Sequence, residues 1–214
     1  MTAAPDPRMI QLLMALRRAG VSDKAVLAAV ERTPRDKFVA DGFLDQAFEN
    51  RPLPIDCGQT ISQPFVVAMM TQALELDDRC KVLEVGTGSG YQAAILARLA
   101  RRVYTIERYR TLAKAAEQRF AELKLSNIVT RIGDGSKGWP EQAPFDRIIV
   151  TAAAPERPDG LLDQLKEGGV CVAPVVNGSV QTLMRYRRDA DGVVEEPLFD
   201  VRFVPLVEGP TRAL

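Results

Sequence analysis

The sequence predicts an α/β fold: a doubly wound, mostly parallel sheet with a helical extension before it and an antiparallel hairpin after it. Helical stretches at 90–100, 110–124 and 158–167 separate most of the predicted strands. Strand–helix–strand repetition requires crossover connections, so the strands are expected to run parallel with helices on both faces. The strands are short apolar runs with the length of buried strands, at 81–85, 102–106, 128–132, 145–150 and 170–175.

The segment before the sheet is predicted to be helical at first and irregular later. Apolar residues recur at helical spacing over 9–19 and 22–32, with Gly20 ending the first helix, Ser22 capping the second and Pro34 ending the pattern. Residues 41–64 are rich in Pro, Gly, Asp and Gln, which predicts irregular structure apart from a short helix near 44–48. Pro64 is expected in the first turn of a helix that runs to about residue 76.

The pattern changes again after Gly168 and Gly169. Residues 181–187, a turn at Asp191 and Gly192, and residues 193–196 predict an antiparallel hairpin, and 198–206 supplies another strand-like run. We therefore expect a single domain over residues 1–214, with an N-terminal part to about 78, a central sheet over about 79–175 and C-terminal strands over about 176–214.

The composition excludes several classes of function. Lys plus Arg and Asp plus Glu both count 28, so no net charge attracts nucleic acid, and no stretch is long and apolar enough to span a membrane. Three widely spaced cysteines indicate reduced thiols and a cytoplasmic protein. The chain has no histidine, which excludes imidazole acid–base catalysis and nearly every common zinc site. We expect no bound metal.

A glycine-rich turn directly follows the strand at 81–85. Residues 86–90 read Gly-Thr-Gly-Ser-Gly, and a helix follows. Glycines let the backbone approach a ligand closely, and the N–H groups that begin a helix point at that ligand. A dinucleotide-binding turn would have its third glycine at position 91, where Tyr91 stands, and Glu84 precedes the first glycine by two residues. This spacing is typical of class I S-adenosylmethionine enzymes, which have a Rossmann-like fold.

Two acids follow in order on the next strands. Glu107 ends the second strand, where a carboxylate accepts hydrogen bonds from ribose hydroxyls, and Asp134 ends the third, where an acid commonly receives the adenine amino group. A lone glycine turn is often only a tight connection, and a lone acid is usually a solvated loop residue. Their ordered combination favours a cofactor site, with these candidates: Glu84, Gly86, Thr87, Gly88, Gly90, Glu107, Asp134 and Gly135.

The fourth strand ends in a run of small residues. Enzymes that methylate amino groups of bases usually carry Asp/Asn-Pro-Pro-aromatic here, whereas this chain has Thr151, Ala152, Ala153, Ala154 and Pro155. The alanines predict an open floor with backbone groups available and no base.

The segment 58–64, Gly-Gln-Thr-Ile-Ser-Gln-Pro, resembles the hallmark segment of the protein-L-isoaspartate O-methyltransferase family. The likeness continues through segments 51–54, 84–90, 133–135, 151–155, 163–169 and 201–206, and it covers roughly residues 9–207. The chain departs from the family pattern at Val207, where some relatives have a hydroxyl near the cofactor.

The resemblance implies a protein-repair enzyme. Members of the family transfer a methyl group from S-adenosylmethionine to the carboxylate of L-isoaspartyl residues in damaged proteins; the ester then closes to a succinimide. By similarity, Ser62 is the catalytic residue. Thr60 and Ile61 would contact the cofactor, and the substrate would contact Gln59, Pro64, Thr151, Ala152 and Ala153. A carboxylate is anionic at neutral pH, because its unperturbed pKa is about 4, so the reaction needs no histidine.

Three alternatives stay open at this stage. Ser62 would have a purely structural role if its side chain capped the helix that begins near Pro64. A related methyltransferase for a different carboxylate or for RNA would share the glycine turn and the acids. A non-catalytic cofactor-binding module would share the fold.

Overall fold

The computed structural model describes residues 6–209. Its helices are α1 (Pro7–Arg18), α2 (Lys24–Glu31), α3 (Pro64–Ala73), α4 (Tyr91–Ala97), α5 (Arg110–Glu122) and α6 (Asp159–Leu162). Its strands are β1 (Leu53–Pro54), β2 (Thr60–Ile61), β3 (Lys81–Val85), β4 (Arg102–Glu107), β5 (Ile128–Ile132), β6 (Phe145–Val150), β7 (Leu165–Asn177), β8 (Val180–Asp189) and β9 (Gly192–Val201). Short 3-10 helices lie at Arg35–Phe38, Asp41–Gln46, Asp56–Gly58, Gly135–Lys137 and Pro140–Gln142.

The seven-stranded sheet has the order β5-β4-β3-β6-β7-β8-β9. The pairs from β5 to β7 are parallel, whereas β7–β8 and β8–β9 are antiparallel. Strand β3 has its sequence neighbour β4 on one side and the later strand β6 on the other. The chain direction across the sheet therefore reverses beside β3, where open α/β sheets bind their ligands. The predicted fold class is confirmed.

Side chains alternate between two apolar clusters, one on each face of the sheet. Val82 and Val103 contribute to the cluster that also holds Leu16 of α1, Val30 of α2 and Met70 of α3. The next residue along β3, Leu83, contributes to the second cluster, which includes Ile148, Leu161 and Cys171. Burying each large aliphatic side chain stabilises the fold by roughly 1.5–3 kcal/mol. The helical extension is thus packed on the first face.

The ends of the first two helices follow ordinary capping chemistry. Gly20 has φ +107, and the Val21 N–H donates to the Leu16 carbonyl at 3.0 Å, which ends α1 as predicted. The prediction that Ser22 caps α2 is wrong. Asp23 is the cap, because its carboxylate accepts from the N–H groups of Ala25 and Val26. The Ser22 N–H donates instead to the Gln72 side chain at 2.8 Å.

Long-range pairing overrides two local predictions near the end of the sheet. The predicted helix at 158–167 is only Asp159–Leu162, because β7 already begins at Leu165, which pairs with Phe145. The pairing of β6 with β7 is irregular where Gly168 takes φ +74. The prediction of a separate strand at 198–206 is also wrong. Its first part belongs to β9, and the Leu206 N–H donates to the Ala153 carbonyl at 2.8 Å.

The segment 41–64 has more structure than predicted. Strands β1 and β2 form a small antiparallel ribbon, with Leu53 opposite Ile61 and Pro54 opposite Thr60. We call this element the 53–61 ribbon. Pro64 occupies the first turn of α3, as predicted. In the later hairpin, Asp189 pairs with Gly192, so the turn residues are Ala190 and Asp191.

Two further findings concern the predictions of reduced cysteines and of no membrane-spanning stretch. All three cysteines, Cys57, Cys80 and Cys171, are free thiols. Within residues 6–209, none of the helices has both the length and the apolar character needed to cross a membrane.

Candidate active site

A cavity opens at the carboxyl ends of β3, β4 and β6, beside the point where the chain direction across the sheet reverses. One wall is the glycine turn after β3, and another is the end of the 53–61 ribbon, residues 59–61, with the following Ser62. The segment Val204–Val207 closes a third side. Eleven predicted site residues line this cavity: Gln59, Thr60, Ile61, Ser62, Gly86, Thr87, Gly88, Glu107, Gly135, Thr151 and Ala152.

The glycine turn is held against the end of β6. Gly86 has φ +99, and a Cβ there would lie 2.3 Å from the Thr151 Oγ1 atom. Thr151 in turn donates from its N–H to the Val85 carbonyl at 2.9 Å. Gly88 has φ +52, a conformation that favours glycine, although its surroundings are roomy. The turn therefore presents bare backbone to the cavity.

Gly90 has a packing role. It does not line the cavity, and a Cβ added to it would lie 2.8 Å from the Phe120 ring. Gly90 also takes φ +89 at the start of α4. The third glycine thus lets α5 pack closely against the turn. A direct contact between Gly90 and the cofactor stays a prediction.

Glu107 lies at the end of β4 with its carboxylate held on the cavity wall. Its Oε2 accepts from the Gly88 N–H at 2.8 Å, and its Oε1 accepts from the Tyr109 N–H at 2.9 Å. Burial raises the pKa of Glu107, while these backbone donors oppose the rise. Each carboxylate oxygen has two lone pairs, so Glu107 keeps capacity to accept further hydrogen bonds from a ligand.

Glu84 lies behind the cavity and reaches it through two hydroxyls. The Thr105 Oγ1 donates to Glu84 Oε2 at 2.5 Å, and the Thr87 and Thr105 hydroxyl oxygens are 2.6 Å apart. Either of these two hydroxyls can be the donor in the second bond. Burial raises the pKa of Glu84 to about 8. Glu84 therefore supports Thr87, and a direct cofactor contact stays a prediction.

Asp134 also lies outside the cavity wall. Its Oδ1 accepts from the N–H and the hydroxyl of Ser136, and its Oδ2 accepts from the Gly209 N–H at 2.8 Å. Burial would raise the pKa of Asp134, but these hydrogen bonds lower it overall. The adjacent Gly135 does line the cavity, where a Cβ would lie 2.5 Å from Val85. The predicted bond from Asp134 to adenine stays a prediction.

Ser62 follows the 53–61 ribbon and lines the cavity beside Thr60 and Ile61. The first residue flanking α3 is Gln63, and no side chain caps that helix. The capping alternative for Ser62 is therefore wrong. The Ser62 carbonyl accepts from the Arg35 guanidinium at 2.9 Å. Ser62 thus lines the cavity, and its side chain makes no cap bond to α3.

The predicted floor is present in part. Thr151 and Ala152 line the cavity, whereas Ala153 uses both backbone groups to hold the segment that ends at Leu206. Pro64 is buried in the first turn of α3 and does not line the cavity. Substrate contacts of Ala153 and Pro64 stay predictions.

Sequence reasoning missed several residues of the wall. Gln92 of α4 donates from Nε2 to the Thr71 hydroxyl at 2.9 Å, and its Oε1 is buried with no donor among the described residues. The same is true of the Tyr91 hydroxyl. Both residues directly follow the glycine turn, which is the signal that would have found them. Val204 had no such local signal, because its place depends on pairing with distant Ala153.

Arg108 fastens the last part of the wall. Its Nη1 lies 3.1 Å from the Val207 carbonyl, 3.0 Å from that of Glu208 and 3.1 Å from that of Gly209. Val207 lines the cavity. Its side chain has no hydroxyl, so it offers no hydrogen bond to a ligand.

The sheet order, the glycine turn and the acid at the end of β4 define an S-adenosylmethionine-dependent methyltransferase fold. A sequence model of the family described as Protein-L-isoaspartate(D-aspartate) O-methyltransferase (PCMT) matches residues 8–211. The chain belongs to this family.

Similar proteins agree with this assignment. A protein-L-isoaspartate O-methyltransferase of Maricaulis maris is 68% identical over 210 residues, which cover 98% of this chain and 99% of the relative. That of Parvibaculum lavamentivorans is 62% identical, over 97% of this chain and 95% of the relative. A solved Plasmodium falciparum structure of the same description, in complex with S-adenosyl-L-homocysteine, superposes with a TM-score of 0.84 at 26% identity. It covers 95% of this chain and 100% of its own.

Proposed function

We propose that this protein is a repair methyltransferase that transfers a methyl group from S-adenosylmethionine to the carboxylate of L-isoaspartyl residues in damaged proteins and peptides. One observation carries the proposal: a single cavity joins the glycine turn and Glu107 on one side to Ser62 on the other. Family membership over residues 8–211 gives the acceptor class. We further propose that its partners are isoaspartyl proteins in the cytoplasm, with no nucleic acid or membrane partner.

The residues on the first side of the cavity fit S-adenosylmethionine. Gly86 and Gly88 leave bare backbone where side chains would take up space, and the Glu107 carboxylate would accept the two ribose hydroxyls. Val85 and Ile106 provide an apolar surface beside Gly135 that suits a flat adenine ring. When bound, S-adenosylmethionine supplies an electrophilic methyl group on a positively charged sulfur.

The residues on the second side would orient the acceptor. An isoaspartyl carboxylate is ionised at neutral pH, with an unperturbed pKa of about 4, so it is already a nucleophile. The Ser62 hydroxyl would donate to one carboxylate oxygen and leave the other directed at the methyl group. Gln59 lies on the same wall, and Ala152 leaves the floor open. Thr60 and Ile61 lie between the two sides, and their contact with the cofactor stays a prediction. Alignment of this kind contributes about 7–11 kcal/mol to catalysis when the geometry is good.

This scheme needs no proton transfer by the protein. The chain has no histidine, and the two acids nearest the glycine turn are engaged by Thr105, Gly88 and Tyr109. Ser62 therefore acts as a hydrogen-bond donor and not as a base. A different carboxylate or an RNA acceptor would use the same first side of the cavity but would have no reason to need the family's hallmark segment.

The acceptor class is tested with two peptides that differ only in Asp against isoAsp. Incubation with S-adenosylmethionine labelled on the methyl group should label the isoAsp peptide alone, and the label should be released by mild base, as carboxyl methyl esters are. Equal labelling of both peptides, or a base-stable product, would contradict the proposal. Binding of S-adenosylmethionine without any transfer would favour a non-catalytic module instead.

A further inference from the structure

Arg35 is a fully buried cation without a carboxylate partner. It begins the 3-10 helix Arg35–Phe38 and has a relative exposure of 0%. No acid among residues 6–209 forms an ion pair with it, and its Nε has no acceptor among them. Burial lowers the pKa of Arg35 only to about 10, so the guanidinium stays charged at neutral pH. An unpaired buried charge costs stability, and an apolar residue would avoid that cost.

The bonds that Arg35 does form converge on the base of the 53–61 ribbon. Its Nη2 donates to the Arg51 carbonyl at 3.2 Å and to the Ser62 carbonyl at 2.9 Å, and its Nη1 donates to the Ala47 carbonyl at 3.4 Å. Arg51 precedes the first ribbon strand and Ser62 follows the second. One side chain thus ties together both chain ends where the ribbon opens.

Arg35 also contacts the cavity wall on its other side. Its guanidinium lies 5.4 Å from the centre of the Tyr91 ring, within the range of a cation–π contact. Tyr91 and Ser62 both line the cavity. The guanidinium is therefore one residue behind the wall, on the side where the acceptor is expected. Because its partners are dipoles and a ring face, no anion among residues 6–209 neutralises its positive charge.

We propose that Arg35 is a positioning residue for methyl transfer, which holds Ser62 at the cavity and places a buried positive charge behind the acceptor carboxylate. The inference rests on the proposed function, since it takes the acceptor to be an anion beside Ser62. A two-stranded ribbon is only marginally stable by itself. Arg35 adds a constraint to the ribbon by holding Ser62, whose position sets the alignment of the acceptor. The acceptor carboxylate would then supply the negative charge that no residue among 6–209 places beside Arg35.

The test compares Arg35→Met, Arg35→Lys and Arg147→Met with the wild type. Arg147 is the matched control, because its guanidinium also donates to backbone carbonyls, those of Leu74, Glu75 and Asp146, but at the opposite end of β6. For each protein, kcat and KM are measured with an isoAsp peptide, the Kd of S-adenosyl-L-homocysteine by calorimetry, and the melting temperature by circular dichroism.

The expected pattern separates positioning from folding. Arg35→Met should lower kcat/KM for the peptide by about 100-fold, since misalignment of the acceptor is costly, while Kd for S-adenosyl-L-homocysteine stays within about threefold. Arg35→Lys keeps the charge and should recover about tenfold of that loss. Arg147→Met should lower the melting temperature and leave both kinetic constants within about twofold of wild type.

Three results would overturn the proposal: folded Arg35→Met with wild-type peptide kinetics, a parallel loss of cofactor affinity and peptide kinetics, or no recovery in Arg35→Lys. If Arg35→Met does not fold, Arg35→Lys carries the test, with a raised peptide KM expected and a wild-type KM contradicting the role. Wild-type protein that methylates no isoAsp peptide would instead contradict the proposed function.

Discussion

The two sides of the cavity are built in different ways. The cofactor side comes from neighbouring strand ends: the turn 86–90 follows β3 and Glu107 ends β4. The acceptor side comes from segments that are far apart in sequence, namely the 53–61 ribbon with Ser62 and the floor after β6. The first side inherits its geometry from the sheet, whereas the second must be tied in place.

The hydrogen bonds that hold the two sides in place differ accordingly. On the cofactor side, the Gly86 N–H donates to the Ile106 carbonyl at 2.9 Å, which is a direct continuation of the sheet. On the acceptor side, the ribbon has only two residues in each strand, and Arg35 joins its two ends. We conclude that changes on the cofactor side should affect ligand affinity, and that changes on the acceptor side should affect alignment of the acceptor.

The largest effect is expected on the acceptor side. Ser62→Ala should lower kcat/KM for an isoAsp peptide by about 100-fold or more, the loss typical of one positioned donor at a reacting group. Its melting temperature should hardly change, because Ser62 caps no helix. Steady-state kinetics and thermal melts measure both quantities. The control is Ser179→Ala in the exposed turn between β7 and β8. Unchanged peptide kinetics in Ser62→Ala would remove its proposed role.

The next effect concerns the cofactor side. Glu107→Gln replaces one carboxylate oxygen by an amide NH2, which then faces the N–H of either Gly88 or Tyr109, donor against donor. The Kd of S-adenosyl-L-homocysteine should rise about 10- to 100-fold, since hydrogen bonds to a charged group are lost. The peptide KM at saturating cofactor should stay near wild type. Calorimetry with Glu122→Gln on the exposed side of α5 is the control. An equal rise in the peptide KM would contradict the assignment of Glu107 to the cofactor side alone.

This contrast also explains what could be predicted from the sequence. Strands 81–85, 128–132 and 145–150 match the structure at both ends, because parallel strands have a local apolar signature. Glu107 and the glycine turn were found for the same reason. The 53–61 ribbon was missed, because strands of two residues exist only through their pairing. Arg35 was missed as well, since nothing near it in sequence distinguishes a buried arginine from a solvated one.

A smaller effect separates the glycines of the turn. Gly90→Ala should destabilise the fold by about 2 kcal/mol, because the added Cβ meets Phe120 and the backbone has a positive φ. Urea unfolding measures this loss. Adding Phe120→Leu should recover part of it by making room. Gly160→Ala is the control, because no atom lies within 4 Å of its Cβ position. A stable Gly90→Ala protein with weakened cofactor binding would instead assign Gly90 to the cofactor.

The last expected effect depends on pH. The folded pKa of Glu84, about 8, lies above its usual 4.5, so the folded protein holds this proton more tightly than the unfolded chain. The stability that Glu84 contributes is therefore present below pH 4.5 and is lost as pH rises through about 8. Relative to Glu84→Gln, wild type should lose stability between these values by at most about 1.4 kcal/mol per pH unit. Parallel urea titrations across that range would show no such loss if Glu84 were ionised in the fold.

The central claim is that the cavity aligns an acceptor that is already charged, with no proton transfer by the protein. The most direct measurement is the single-turnover rate of methyl transfer to an isoAsp peptide, with both substrates saturating, between about pH 6 and 7, where a histidine would titrate. Because the chain has no histidine, we predict the same rate constant throughout this range. A step in the rate of the chemical reaction within it would show that a side chain with a shifted pKa acts as a base, and would contradict the claim.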